Sequence, residues 1–291
     1  MRQIPDSELV INAKGNIYHL NLHPAEIADT ILTVGDPERV PQISKYFDRI
    51  EVRREHREFI THTGWLGKKR LTVVSTGIGT DNIDIVLNEL DALANINFKT
   101  RTVNDIHKKL TIIRVGTSGA IWAEVQVGSM VTSAYGIGLD NLLHFYEPAH
   151  HLNEVGLLQQ FKHYLVQALP VEPYVAAANA ALLQQITLDY QGITLTAPGF
   201  YAPQGRELRA KTKFTTETLT HLSDFKYDQL RILNFEMETA GIYGLANLLG
   251  HRALSCNVIL ANRILGQFAS NPAEAVERLI MRVLEQIQVI D

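Results

Sequence analysis

Two glutamates in this chain stand where charge is not left by accident. In Asn234-Phe235-Glu236-Met237-Glu238-Thr239-Ala240 they lie two residues apart, between an apolar strand and an apolar helix. Residues 229–234 read as strand. Ile242, Leu245, Ala246, Leu248 and Leu249 carry the helical spacing of a buried face, which Gly250 stops. In an open α/β sheet the crevice at the carboxyl ends of the strands is where ligands bind. An ionised glutamate there accepts hydrogen bonds from paired donors such as the vicinal hydroxyls of a sugar. The other reading is that Glu236 and Glu238 merely complement the positive end of the helix dipole. Their immediate neighbours leave both readings open.

Other segments offer the complementary charge. Gly35-Asp36-Pro37-Glu38-Arg39-Val40 follows an apolar strand. Pro37 stands where a helix can begin and Asp36 is suited to cap it, so free backbone amides and Arg39 would converge on an anion. Arg114-Val115-Gly116-Thr117-Ser118-Gly119-Ala120 repeats the arrangement, with small residues that let backbone amides approach a ligand. Two arginine-plus-glycine strand ends suggest a phosphate. In Phe200-Tyr201-Ala202-Pro203-Gln204-Gly205-Arg206 an amide is paired with a guanidinium. The amide both donates and accepts, while the guanidinium only donates, which suits the carbonyl, N–H, carbonyl edge of a uracil-like ring. An ordinary solvated loop is the plainer alternative. Gly77-Ile78-Gly79 invites a dinucleotide reading, but Asn82 stands in place of the third glycine and the fingerprint fails. None of the eleven histidines, the His150-His151 pair included, shows a metal-ligand spacing.

To converge, these segments need a sheet that delivers them together. Strand-like runs at 31–34, 70–75, 111–115, 130–134, 192–197, 231–234 and 253–260 alternate with helical ones at 81–93, 153–169, 239–249 and 272–288. That pattern predicts an α/β fold with a largely central sheet, and the lack of any linker or repeat predicts a single domain over 1–291. The polar, basic stretch 96–109 reads as a surface insertion or a partner-binding arm. A net charge of −4 argues against a general nucleic-acid binder, so a few placed arginines must hold any phosphate. The lone Cys256 lies in an apolar run, excludes an intrachain disulfide and fits a reducing cytoplasm. With no signal-peptide core and no run approaching ~18 apolar residues, a soluble cytoplasmic protein without membrane partners is expected.

In this order and spacing, eight segments resemble the nucleoside phosphorylase family, and specifically its uridine phosphorylase branch. They are Tyr18-His19-Leu20, the Gly35 to Val40 stretch, His56-Arg57-Glu58-Phe59, Ser75 to Gly79, Arg114 to Ala120, Phe200 through Gln204-x-Arg206, Phe235 to Glu238, and Asn262-Arg263. The resemblance covers most of the chain. It implies one domain around a twisted, barrel-like mixed sheet flanked by helices. It also implies a homo-oligomer, a dimer at least or a hexamer, whose active site is completed by a neighbouring subunit.

By that likeness Gly35, Arg39, Arg114 and Thr117 hold phosphate, joined by Arg57 of the partner subunit. Glu238 and Met237 hold the ribose, with Glu236 beside them in support and the partner's His19 on the 5′-hydroxyl side, while Gln204 and Arg206 read the base beside Phe200. The implied activity is a pentosyltransferase of nucleoside salvage and catabolism. Inorganic phosphate is the nucleophile and co-substrate, no further cofactor is needed, and Arg39, Arg114, Glu238 and Arg206 carry the catalysis by positioning and electrostatics.

Purine-specific relatives place an Asp where this chain has Asn262, to protonate the purine, and a neutral amide cannot do so. That favours a pyrimidine, uridine first. A small side chain in Leu260-Ala261 would also admit the 5-methyl group of thymidine. In some relatives a potassium ion sits at the dimer interface on a Glu like Glu58 and a Ser where this chain has Asn82. The insertion 96–109 and Ala202-Pro203 depart from the family pattern. Competing readings are a purine or broad-specificity phosphorylase, a water-using nucleosidase with no need of the arginines, and a nucleoside-binding sensor without turnover.

Overall fold

A computed structural model describes residues 2–147, 152–165 and 171–290; the His150-His151 pair and residues 166–169 of the expected helix lie outside them. The chain opens with β1 (Thr30–Val34), α1 (Arg39–Ser44), the hairpin β2 (Arg49–His56) and β3 (Phe59–Leu66), β4 (Lys69–Ser75) and α2 (Thr80–Asn95). The short strands β5 (Ile96–Asn97) and β6 (Thr102–Val103) precede the long strands β7 (Thr111–Ala120) and β8 (Met130–Gly138). There follow α3 (Leu152–Tyr164), β9 (Tyr174–Ala177), α4 (Ala180–Gln185), β10 (Tyr190–Thr196), α5 (Thr216–Asp224), β11 (Lys226–Tyr227) and β12 (Leu230–Glu236). The described chain ends with α6 (Thr239–Leu249), β13 (Arg252–Asn262), β14 (Gln267–Phe268) and α7 (Pro272–Ile287).

The strands β12, β10, β8, β13 and β7 pair in that order, and β7 pairs back onto β12 through Asn234 opposite Ala120 and Phe235 opposite Gly119. Five strands thereby close into a barrel, and the sheet runs on from β7 through β1, β4, β3 and β2. Around β7, β1, β4 and β13 are parallel; β8, β10 and β12 form a second parallel group of opposite sense. The crevice expected of an open sheet is therefore replaced by a closure. Where the end of β12 crosses β7, Glu236 and Glu238 come to lie against Arg114 of β7.

Three apolar layers hold this sheet. On α7, Asn271 Oδ1 accepts the Glu274 N–H at 3.2 Å and Pro272 opens the first turn. Val276, Leu279, Ile280, Val283 and Ile287 then recur at three- and four-residue spacing against Ile113, Val115 and Leu254, each such burial stabilising by roughly 1.5–3 kcal/mol. On the opposite face α2 and α6 pack together, α6 being buried from Thr239 to Ala246 and ended by Gly250 at φ 78°. The third layer sets Leu157, Phe161, Leu219 and Phe225 of α3 and the α5 region over β10 and β12. Cys256 lies in the α7 layer, where burial pushes its thiol up to about 12.

One local expectation is corrected. Helix α1 begins at Arg39, two residues after Pro37, because Asp36 Oδ1 accepts the Glu38 N–H at 2.9 Å in a tight turn instead of capping a helix. The stretch 96–109 carries a small hairpin: β5 and β6 pair, and Arg101 Nε donates to the Ile4 carbonyl at 2.9 Å while the Ile4 N–H returns a bond to the Arg101 carbonyl at 2.8 Å. The hairpin fastens the N-terminal segment.

Candidate active site

A cavity of about 610 Å³ opens at the crossing of β12 and β7, a volume suited to a small ligand. At one end Gly35 leaves β1, Arg39 stands on the first turn of α1, and Arg114 and Thr117 come from β7. Arg39 Nη1 donates to the Val115 carbonyl at 3.3 Å. Burial, and then the charge of Arg114, lowers the Arg39 pKa, opposed by Asp36 and Glu238. Two guanidiniums facing one cavity repel each other, and an anion between them relieves both the repulsion and the desolvation.

Arg114 is 5% exposed and braced on two sides. Its Nη2 bonds the Glu238 carboxylate, and its Nε lies 3.2 Å from Glu236 Oε2 in an ion pair without hydrogen-bond alignment. Burial works to lower its pKa, but the two carboxylates outweigh that and raise it, so the guanidinium stays charged. The glutamates divide the remaining work. Glu236 accepts the N–H groups of Glu238 at 2.9 Å and of Thr239 at 2.9 and 3.0 Å, and the Thr196 hydroxyl at 2.6 Å. Burial raises its carboxyl pKa, against the pull of Arg114.

Glu238 Oε1 takes only the Gly79 N–H, at 2.7 Å, among the described residues. A carboxylate has about four acceptor sites, so Glu238 keeps capacity toward the cavity. The helix-start reading thus fits Glu236, and the ligand reading fits Glu238. Gly77 and Gly79, at φ 70° and 94°, make the turn that aims this amide, a use the dinucleotide comparison had not considered. Met237 lines the cavity between the two glutamates.

The far end is a loop. Gln204 is 2% exposed, whereas Phe200 is 51% exposed. Arg206 Nη1 donates to Gln204 Oε1 at 2.6 Å and to the Phe200 carbonyl at 2.8 Å, and its guanidinium lies 3.8 Å from the centre of the Phe200 ring. With the Gln204 oxygen engaged, its amide nitrogen remains to donate to a ligand carbonyl. Burial, then the nearby Arg263, draws the Arg206 pKa down to about 10. Arg263 in turn ties the loop, donating to the carbonyls of Gln204 at 2.8 Å and Gly205 at 3.2 Å.

Asn262, the neutral amide that cannot act as an acid, is held by backbone. Its Nδ2 donates to the carbonyls of Trp122 at 3.1 Å and Val125 at 2.9 Å, and its Oδ1 accepts the N–H groups of Ile264 at 3.0 Å and Leu265 at 2.9 Å. All of its hydrogen-bonding groups are taken up by backbone outside the cavity, whereas its neighbours Leu260 and Ala261 do line it.

Within one chain, His19 and Arg57 are not brought to the cavity. His19 Nδ1 lies 2.7 Å from Glu89 Oε1, and the backbone N–H groups of His19 and Leu20 also end on that carboxylate. Arg57 is exposed at the β2–β3 turn, at φ 57° and 5.7 Å from the centre of the Tyr18 ring. Glu58, next in sequence, does line the cavity. Sequence reasoning missed the Gly79 amide, the loop-tying Arg263, and the half-open mouth formed by Ile78 and Phe268, 70% and 68% exposed. Among the described residues no cluster of three or more His, Cys, Asp or Glu side chains is placed to hold a metal ion, and no helix is long and apolar enough to cross a membrane.

A barrel-closing α/β fold with this cavity defines a class, and comparison with known proteins agrees: residues 29–288 match the phosphorylase superfamily, to which the chain belongs. Among curated relatives, the uridine phosphorylase of Thermococcus kodakarensis is 31% identical over 257 residues, covering 88% of this chain and 80% of that protein. The uridine phosphorylase of Haemophilus influenzae is 28% identical over 249 residues, covering 85% and 86%. Among solved structures, a Trypanosoma brucei nucleoside phosphorylase with uridine phosphorylase activity superposes with a TM-score of 0.87 at 28% identity, covering 97% of this chain and all of that one.

Proposed function

We propose that this chain is a phosphate-using pentosyltransferase that cleaves a pyrimidine nucleoside, uridine foremost, to free base and ribose 1-phosphate. The observation that carries this reading is one cavity lined in turn by an arginine pair, a carboxylate with acceptor capacity to spare, and a glutamine–arginine pair. Phosphate sits against Arg39 and Arg114 with the Gly35 amide and Thr117. Glu238 takes the ribose hydroxyls over Met237, and Gln204 and Arg206 address the base beside Phe200. As the C1′–N bond lengthens, its electron pair moves onto the base, where Arg206 stabilises the charge. A phosphate oxygen then bonds to the cationic C1′. Glu236 holds Arg114 and the start of α6 in place.

A second copy completes this site. Arg57 adjoins Glu58 in sequence and the His19 carbonyl lies 2.9 Å from His56 Nδ1, both outside their own chain's cavity, and we assign them to the neighbour's phosphate and 5′-hydroxyl. Mixing Arg57→Ala chains with Arg114→Ala chains should restore activity, and verified mixed oligomers that stay inactive would contradict the assignment. Glu58 Cγ and Asn82 Nδ2 come within 3.2 and 2.3 Å of the point where a side chain on Gly77 would start. One chain thus offers a potassium ion a carboxylate and a carboxamide, so the ion would be held jointly with a second copy and would brace the interface. A cytoplasmic location accords with the lone, buried Cys256 thiol.

Incubating the purified protein with uridine, with and without phosphate, tests the reading. Uracil should appear only with phosphate; equal release without it would make the protein a hydrolase, and no release from any pyrimidine nucleoside would remove the activity. Thymidine belongs in the same panel, because Ala261 leaves room beside the base.

A further inference from the structure

We propose that Asn257 is a positioning residue of the phosphate end, steering Arg114 through its carboxamide oxygen; this rests on the phosphorolytic reading above. Asn257 lies on β13 directly opposite Gly116 of β7 and is fully buried. A carbon added to Gly116 would fall 1.8 Å from Arg114 Nη1 and 2.4 Å from Asn257 Oδ1. The missing side chain of Gly116 is thus a slot in which guanidinium and carboxamide lie side by side. Arg114 Nη1 and Asn257 Oδ1 are both buried, and neither has a hydrogen-bond partner among the described residues. A donor and an acceptor left over beside the same point are complementary, and buried polar groups are rarely left unmatched.

The orientation of the carboxamide is fixed from behind. Asn257 Nδ2 donates to Ser255 Oγ at 3.0 Å, which turns Oδ1 toward the guanidinium. Ser255 Oγ lies 2.8 Å from Thr239 Oγ1, and the Thr239 N–H is held by Glu236, so the chain of contacts returns to Arg114. Each nitrogen of Arg114 then has its own neighbour: Glu236 at Nε, Glu238 at Nη2 and Asn257 at Nη1. The third neighbour is neutral, and that is its use. A third carboxylate would add to the two negative charges already beside the guanidinium and repel phosphate, whereas a neutral amide orients Arg114 without adding charge.

Steady-state kinetics with phosphate and uridine varied separately test the assignment. For Asn257→Leu the phosphate KM should rise roughly tenfold, the scale of one hydrogen bond to a charged group, while the uridine KM stays within about twofold. Asn257→Ser, too short to reach Nη1, should give the same phosphate-selective loss and serves if the leucine variant does not fold. In an Arg114→Lys background, which has no Nη1, Asn257→Ser should leave the phosphate KM unchanged. An equal effect in both backgrounds, an equal rise in both KM values, or no change at all would overturn the role of Asn257. Wild-type enzyme without saturable dependence on phosphate would instead overturn the phosphorolytic reading, and that measurement comes before any variant.

Discussion

The two ends of the cavity are built differently. Arg114, inside β7 and not at the strand end its sequence suggested, and Glu236 and Glu238, at and just past the end of β12, are 5%, 4% and 4% exposed and are braced by one another and by the start of α6. The base end hangs on the Phe200 to Arg206 loop, where Phe200 is 51% exposed and the main tie is a single arginine, Arg263. At the first end the charges that act on ligand also hold the barrel closure, so rate and stability are coupled. At the second, recognition can change with little cost to the fold.

Arg114→Met should have the largest effect. Phosphorolysis should fall by about 10³-fold or more, and stability by about 3–5 kcal/mol because two buried carboxylates lose their counter-ion. Kinetics and urea unfolding measure both, and a loss of rate at unchanged stability would break the coupling. The paired glutamates sharpen the same end. Glu238→Gln should lower kcat/KM for nucleoside by roughly 10²-fold with a small change in unfolding midpoint, whereas Glu236→Gln should cost stability, roughly 1–3 kcal/mol, more than rate.

The base end should answer in the opposite sense. Arg206→Met should lower kcat by about 10²-fold while leaving the unfolding midpoint unchanged or slightly raised. The sign follows from its depressed pKa: the fold disfavours the proton on Arg206, so the charged form is a cost to stability below about pH 10 that fades as pH rises through that value. Activity of the wild type should correspondingly decline as pH rises through about 10, and a flat profile there would remove Arg206 as the charged group. Arg263→Met should be mildest, raising the uridine KM roughly fivefold and leaving the phosphate KM alone.

How much of this was legible in the sequence differs between the same two ends. Helix α6 was read with its observed limits, because apolar spacing and a terminal glycine are local signals. The α/β alternation was likewise visible. The barrel-like sheet was legible only through the family resemblance, which implied it; no local pattern announces the closure, since the pairing of Asn234 with Ala120 joins distant residues with no periodicity. Glu236 and Glu238 could be told apart only through the resemblance, which set Glu238 on the ribose and Glu236 beside it; the physical reason needed Thr239 and Gly79 placed around them. Asn262 could be read as a neutral amide but not placed, because two of its four backbone partners, Trp122 and Val125, lie more than a hundred residues away. The β2–β3 hairpin was missed for a plainer reason: its charged strand is half exposed and lacks a buried alternation strong enough to read.

The most direct measurement is the fate of the sugar. With uridine and phosphate, phosphorus NMR should show a ribose 1-phosphate signal growing one for one with uracil, abolished by Arg114→Met. Uracil accompanied by free ribose, with no new phosphorus signal, would contradict the account.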